Sequence, residues 1–523
     1  MTDDLSDMQK QVQDRVEQEK QAHPQPNESG KAKIDSKFIH SCLFANELGD
    51  GVMYATLFRD KFLFCKNTQE WYEWGGHYWK RDIMGRSLAS VEKMSELYLT
   101  EYTSLAGTIA DLMLDDGNKG EIQKLKKKQA DILKRVSQLR GEKRRSACLK
   151  FAHTINEPLA IEGTEFDNKP MLFPCANGVI NLETGRIKPG CPGDRLSLAS
   201  SVVFLGIDEP APLWEETLLT IFNGDEELIA YLNRLCGYAI TGLVHEKVFP
   251  MFYGRTGWNG RSLIVETISY VMGDLASPIQ AEMLLSQKYP KSAAGPSPDI
   301  MSLKGIRMAF ASEIDENRRF STSKIKWLTG KDELIGRNPN DKYQTRFEPT
   351  HKLFLMTNTL PQAPPNDKAF WERVHLIPFI ISFVNRDPQE CHERRAILDL
   401  DSKLLKEAPG ILAWLVRGCL LWQKHGLKPP LSVTEATERY RRDEDLLADF
   451  IDECCVREPG AKEKAAILYV AFVEWYHSNI GSKEPTGTWF GKKLSEKYDK
   501  SKYAGCNMYH GIALNMPLGR LEG

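Results

Sequence analysis

The stretch Gly254-Arg255-Thr256-Gly257-Trp258-Asn259-Gly260-Arg261-Ser262 constrains this chain more than any other. Residues 248–253 ahead of it are apolar and aromatic, which predicts a short buried strand. Behind it, Leu263, Ile264, Ile268 and Val271 recur at helical spacing. Strand, glycine-rich loop and helix in that order are the context of a phosphate-binding loop. Glycines let backbone N–H groups turn inward around an anion, and the helix N-terminus adds the positive end of its dipole. Ser262 stands where a hydroxyl would reach Mg2+. Arg261 stands where such loops carry lysine. It keeps the charge but presents a wider, planar fork.

Two later stretches fit the same chemistry. Residues 305–313 read as an apolar strand ending in Glu313, a carboxylate placed to polarise an attacking water and to help hold a metal ion. Residues 352–358 read as a third buried strand ending in Asn358, which would orient that water or sense the γ-phosphate; alone, it would be a turn residue. Arg373, set between Trp371 and Val374, is a candidate arginine finger, with a surface ion pair as the alternative. Between these lies a helix, then a hairpin with Pro339, Asn340, Asp341 and Lys342 at its turn. Lys331, Arg337 and Lys342 suit a phosphate backbone, and Tyr343 suits a base or sugar.

The remainder is read more coarsely. Residues 1–35 are polar, and a disordered tail is expected. Residues 60–79 predict an aromatic β core, with a platform for bases as the lesser alternative. Residues 86–153 predict helices. One carries an apolar stripe of Leu125, Ile132, Leu133, Val136 and Leu139, flanked by basic clusters at 124–128 and 140–145 that offer phosphate contacts as an alternative to a solvated face. Asn177-Gly178 and Thr184-Gly185 signal tight turns between strands. Residues 386–428 read as helices, and 429–523 as three helices followed by short strands, a winged-helix order with Lys492, Lys493 and Lys497 on the third helix. Origin binding and subunit packing both remain open for that part. The formal net charge is −2, so nucleic-acid contacts must come from local patches. Eleven cysteines without a C-x-x-C pair read as reduced thiols, and no apolar run approaches a membrane span. A cytoplasmic protein is expected.

Six pieces in register resemble the superfamily III helicases, in the branch found in phage and plasmid primases and poxvirus primase-helicases. They are residues 254–262, 311–313, 328–332, 347–353, 357–361 and 371–379. The resemblance implies an α/β fold: an AAA+-like P-loop ATPase core at 211–385, an α+β N-terminal domain at 36–210, a helical extension at 386–428 and a winged-helix-like domain at 429–523. It implies a homo-hexameric ring that hydrolyses ATP with Mg2+ and moves on single-stranded or forked DNA in the replication of a mobile element. On that reading Gly254, Gly257, Asn259, Gly260, Arg261 and Ser262 hold nucleotide, with Ser262 and Glu313 at the metal. Glu313 is the catalytic carboxylate, Asn358 the sensor and Arg373 a finger acting on a neighbouring subunit. The alternative is a nucleotide-dependent loader or platform that unwinds weakly because of Arg261. The upstream carboxylate pairs, Asp3-Asp4 and Asp115-Asp116, suit no two-metal polymerase, so a separately encoded primase or polymerase is expected.

Overall fold

The computed structural model describes residues 34–515, apart from 115–118, 288–294, 313–317, 340, 342, 445, 480–483, 496 and 504–505. The chain divides into two compact units, Met1–Phe166 and Asp167–Gly523.

The first unit is α+β. Helices α1 (Ser36–Phe44) and α2 (Asn46–Phe58) lead into a sheet of β1 (Phe62–Cys65), β2 (Glu70–Trp74) and β3 (Trp79–Arg81). After the short α3 (Arg86–Ala89) come α4 (Glu92–Leu114), α5 (Lys119–Leu139) and α6 (Glu142–Ala152). Strand β4 (Ala160–Ile161) closes the sheet, in order β3-β2-β1-β4. The sheet's Phe62, Leu63 and Trp79 are buried, as an aromatic core requires. On α5, Ile132, Val136 and Leu139 are buried, but Leu133 is exposed because it lies off that face. The arginines of the basic cluster at 140–145 are committed elsewhere. Arg140 and Arg145 pair with Glu92, and Arg144 reaches Asp50, which is fully buried and also takes Arg135 at 2.6 Å. These arginines lock helices together and do not form a phosphate patch.

The second unit begins earlier than the sequence suggests. Residues 167–210, expected to close the N-terminal domain, fold with this unit. Strands β5 (Leu172–Cys175), β6 (Gly178–Asn181) and β7 (Arg186–Lys188) form an antiparallel meander with turns at the two expected glycines. Its Phe173, Cys175, Ile180 and Leu182 enter the same core as α7 (Pro212–Ile221) and α8 (Glu226–Ala239), which is why the boundary moves.

A five-stranded parallel sheet follows. Its strands are β8 (Phe249–Tyr253), β9 (Ala276–Ile279), β10 (Met308–Ser312), β13 (Lys352–Thr357) and β14 (Val374–Pro378), in spatial order β14-β8-β13-β10-β9. Between them lie α9 (Arg261–Met272), α10 (Pro298–Met301), α11 (Thr322–Leu328), the hairpin β11 (Leu334–Gly336) and β12 (Thr345–Phe347), and α12 (Lys368–Trp371). The strands read as near-continuous apolar runs because both faces of a parallel sheet are covered. At the sheet's foot two buried cations act as staples. Arg307 donates to the Ile240 carbonyl at 2.6 Å and the Leu172 carbonyl at 2.5 Å, and Lys352 donates to the Thr241 carbonyl. Burial pushes Lys352 well below the usual lysine range.

Residues 386–395 are not helical as expected. Strands β15 (Ser382–Val384) and β16 (Glu393–Arg395) pair in parallel. The Glu393 carboxylate takes the Gln389 N–H at 2.8 Å and pairs with Arg386, which bends the chain into a turn. Helices α13 (Leu400–Lys406) and α14 (Ala408–His425) follow as anticipated. Helix α14 crosses α8 closely because Gly237 and Gly418 meet there, where a Cβ on either would strike backbone of the other helix. Then come α15 (Leu431–Asp443), α16 (Leu446–Cys454), β17 (Cys455–Val456), β18 (Lys462–Lys464), α17 (Ala465–Asn479), α18 (Gly487–Ser495), β19 (Lys500–Tyr503), β20 (Cys506–His510) and β21 (Ala513–Leu514). Thr486 caps α18, its hydroxyl accepting the Trp489 N–H at 3.3 Å.

Candidate functional site

Strand β8 lies inside the sheet, between β14 and β13. From β8 the chain runs to the far edge, returns through β10 and β13, then crosses to the other side of β8. Such a switch point opens a crevice at the strands' C-terminal ends. The glycine loop fills that position. Asn259, almost fully buried, braces it: Nδ2 donates to the Thr256 carbonyl at 2.7 Å, and Oδ1 accepts from Arg261 Nε at 3.0 Å. Gly254 must be glycine, since a Cβ would run into the Asn259 amide and approach the Phe379 carbonyl at 2.8 Å. Gly260 has φ +85° and packs on Ile221. At Gly257 none of the described residues lies within 4 Å of where a Cβ would stand. The interval from Gly254 to Gly260 is one residue longer than the G-x-x-x-x-G pattern. Trp258 takes φ +58° with its ring 80% exposed, and its carbonyl accepts the Phe383 N–H at 2.7 Å.

Helix α9 starts at Arg261, whose N–H lies 3.4 Å from Asn259 Oδ1, and among the described residues the Ser262 and Leu263 N–H groups are left for an anion. Ser262 lines the cleft with its hydroxyl exposed. Arg261 itself does not reach outward. Its Nη1 donates to the Thr357 carbonyl and lies 3.5 Å from that of Phe252, the ends of β13 and β8. Burial holds its pKa below the usual arginine value.

The strand register levels the ends around this point, pairing Ser312 with Met356 and Thr357 with Tyr253. Ser312 and Asn358 therefore line the same cleft as Gly257, Asn259, Gly260, Arg261 and Ser262, in a space of about 820 Å³. Glu313 lies outside the described residues, immediately after Ser312.

The cleft's other wall was not foreseen. It comes from Thr217 and Ile221 on α7, Phe383 on β15, Arg395 on β16 and Leu400 on α13. Helix α7 is held there by Glu407, whose carboxylate accepts the Leu213 and Trp214 N–H groups at 3.1 and 3.0 Å. No short motif announces these residues; Pro212 at the start of α7 is the one local signal.

Arg373 stays away from this cleft. It precedes β14, which runs parallel to β8 with Val374 opposite Phe249 and Pro378 opposite Tyr253. That sets it roughly 17 Å of strand from the loop end. Its Nη1 donates to the Ala369 carbonyl, while its Nε is buried without a partner among the described residues. The hairpin residues also lie at the sheet's N-terminal end, where β12 runs on into Lys352. Lys331 is exposed, Arg337 half-buried and Tyr343 74% exposed; Lys342 lies outside the described residues.

Residues 52–223 match the family model described as D5 N terminal like. A protein of Acanthamoeba polyphaga mimivirus, provisionally named a helicase, is 28% identical over 81% of this chain and 45% of its own length. Similarity to viral proteins of the D5 primase-helicase type therefore covers most of this chain. A frog virus 3 protein, also provisionally named a helicase, is 23% identical over 85% of this chain and 55% of its own. An African swine fever virus protein provisionally named a primase is 23% identical over 67% and 39%. The chain thus spans about half the length of the D5-like relatives it matches. The C-terminal region of NrS-1 superposes on 68% of this chain and 85% of its own with a TM-score of 0.43 at 14% identity, too low to carry an argument about fold. Among the described residues no helix is long and apolar enough to cross a membrane.

Proposed function

We propose that this chain is the ATP-driven motor of a replicative DNA helicase. One observation carries the reading: the uncapped helix behind a glycine loop and the ends of β10 and β13 converge on a single cleft at the sheet's switch point. Relatives named for helicase and primase activity agree with it.

The donor set fits Mg-ATP. The first-turn N–H groups of α9 take the phosphates, and Ser262, whose hydroxyl has no partner among the described residues, stands ready as a metal ligand together with Glu313. Magnesium, when bound, neutralises phosphate charge. Glu313 orients and deprotonates the attacking water, Asn358 holds that water against the γ-phosphate, and Arg261 leaves its carbonyl partners for phosphate oxygens. Because Arg373 lies a strand length from its own loop, it serves a neighbouring copy in a six-membered ring, with Lys331, Arg337, Lys342 and Tyr343 on the strand being moved. The order α16, β18, α17, α18 and the β19–β20 hairpin supports a winged-helix reading of the C-terminal part. Primer synthesis is not assigned to residues 1–523.

A second reading has its own observation. Arg261 rests on strand-end carbonyls, which suits a loader that binds nucleotide without productive turnover. DNA-stimulated ATP hydrolysis and strand displacement on a forked substrate separate the two. Turnover that disappears in Glu313→Gln and in Arg373→Ala supports the motor. Binding of ATP without turnover, with activity appearing in Arg261→Lys, supports the loader. Absence of ATP binding sinks both.

A further inference from the structure

The first unit contains a second cleft, of about 730 Å³, which the motor reading does not use. Trp71 and His153 are its aromatic lining, and Ser146 and Lys150 on α6 line it as well. His153 stacks on Phe64 with centroids 3.9 Å apart and planes 9° apart, and meets Trp71 edge-on at 5.9 Å. Lys66 Nζ lies 2.7 Å from His153 Nδ1. Lysine can only donate, so Nδ1 accepts and the ring proton sits on Nε2. Burial, then the Lys66 charge, lowers the His153 pKa, in keeping with a neutral ring.

The charges of this cleft are unevenly committed. Glu70 is paired with Arg81. Asp82 accepts the Arg86 and Ser87 N–H groups, each at 2.8 Å. Lys150 is exposed and has no carboxylate partner among the described residues. What remains is an aromatic pair, Trp71 and His153, with Lys150 and an imidazole N–H beside it. That combination recognises a stacked base and its flanking phosphate, and it is indifferent to sequence because every base has a π-face.

We propose that this cleft binds one nucleotide unit of single-stranded nucleic acid, its base against Trp71 and His153 and its phosphate at Lys150. The site is separate from the motor cleft and would hold a strand whether or not ATP turns over.

The test is photocrosslinking of the full chain to a 5-iododeoxyuridine oligonucleotide, without ATP, with the adducts mapped by mass spectrometry. Adducts are expected on the peptides holding Trp71 and His153. Their yield should fall with salt, and Lys150→Ala should lower that log–log slope by about 0.7, the loss of one phosphate contact. Lys150 is exposed, so this variant keeps its fold, which an unchanged thermal unfolding midpoint would verify. Competition separates the sources. An unlabelled DNA or RNA strand that removes the adducts far better than free dTMP supports a strand site and shows which sugar is preferred. Equal competition by dTMP overturns the strand and leaves a mononucleotide pocket. Adducts confined to residues 167–523, or a slope unaltered in Lys150→Ala, overturn the proposal and leave the motor reading intact.

Discussion

Replacing Arg261 by methionine keeps most of the side chain's length and removes its charge and donors. In the free protein Arg261 donates to the Thr357 carbonyl and lies close to that of Phe252, while Nε holds Asn259 at 3.0 Å. On binding nucleotide the guanidinium must give up the carbonyl contacts, about 1 kcal/mol net for a bond re-formed elsewhere. In return it makes charge-assisted bonds to phosphate, about 3 kcal/mol for a paired contact. The difference, about 2 kcal/mol, makes ATP binding about 30-fold weaker in Arg261→Met. Calorimetric titration of Mg-ATP into Glu313→Gln protein, with and without Arg261→Met, measures this without hydrolysis. Affinity within twofold of the parent would refute a phosphate role for Arg261. Tighter binding would mean that its bonds to the strand ends hold the loop against nucleotide.

Three further outcomes follow from the packing. Asp50→Ala leaves Arg135 and Arg144 without their buried carboxylate and should cost about 3–5 kcal/mol, read as a lower denaturant midpoint with part of the loss restored by adding Arg135→Met. Gly418→Ala drives a Cβ into the Asn233 carbonyl at the α8–α14 crossing and should cost about 1–3 kcal/mol or more in thermal unfolding. Burial raises Glu444, whose carboxylate takes the Ala363 N–H at 2.8 Å, to about 7 from an unfolded value near 4.5. The folded chain therefore holds a proton that the unfolded chain has lost across that window, and this group's contribution to stability falls as pH rises from 4.5 to 7. Glu444→Gln should flatten that part of the stability profile, giving a Tm advantage that grows over the same range; parallel profiles would refute the assignment.

What could be read from the sequence was whatever is local. Residues 249–253, 308–311 and 353–356 are unbroken apolar runs, and each lies in a strand of one parallel sheet. Turns at Asn177-Gly178 and Thr184-Gly185 declare themselves through residue type. The unit boundary did not, because nothing local says that Phe173 and Ile180 will pack on α7 and α8. The stretch 386–395 misled for a similar reason. Its charged composition suits a helix surface, yet one carboxylate, Glu393, collects a backbone N–H and a guanidinium and turns the chain instead.

The cleft divides along the same line. Its glycine loop is contiguous, so Asn259, Gly260, Arg261 and Ser262 could be named from their order alone, with Asn358 following from the end of a strand. The opposite wall depends on Glu407 gripping the start of α7 from almost two hundred positions away in the chain. Where Arg261 rests depends on β8 and β13 ending level, a property of register that composition does not carry. The same holds for Lys66 and His153, brought to 2.7 Å from 87 positions apart. Residue type at a motif therefore states which chemistry is available. The partner a side chain holds at rest, and hence what a ligand must displace, is decided by contacts remote in sequence, which is why the test of Arg261 turns on the carbonyls it must leave.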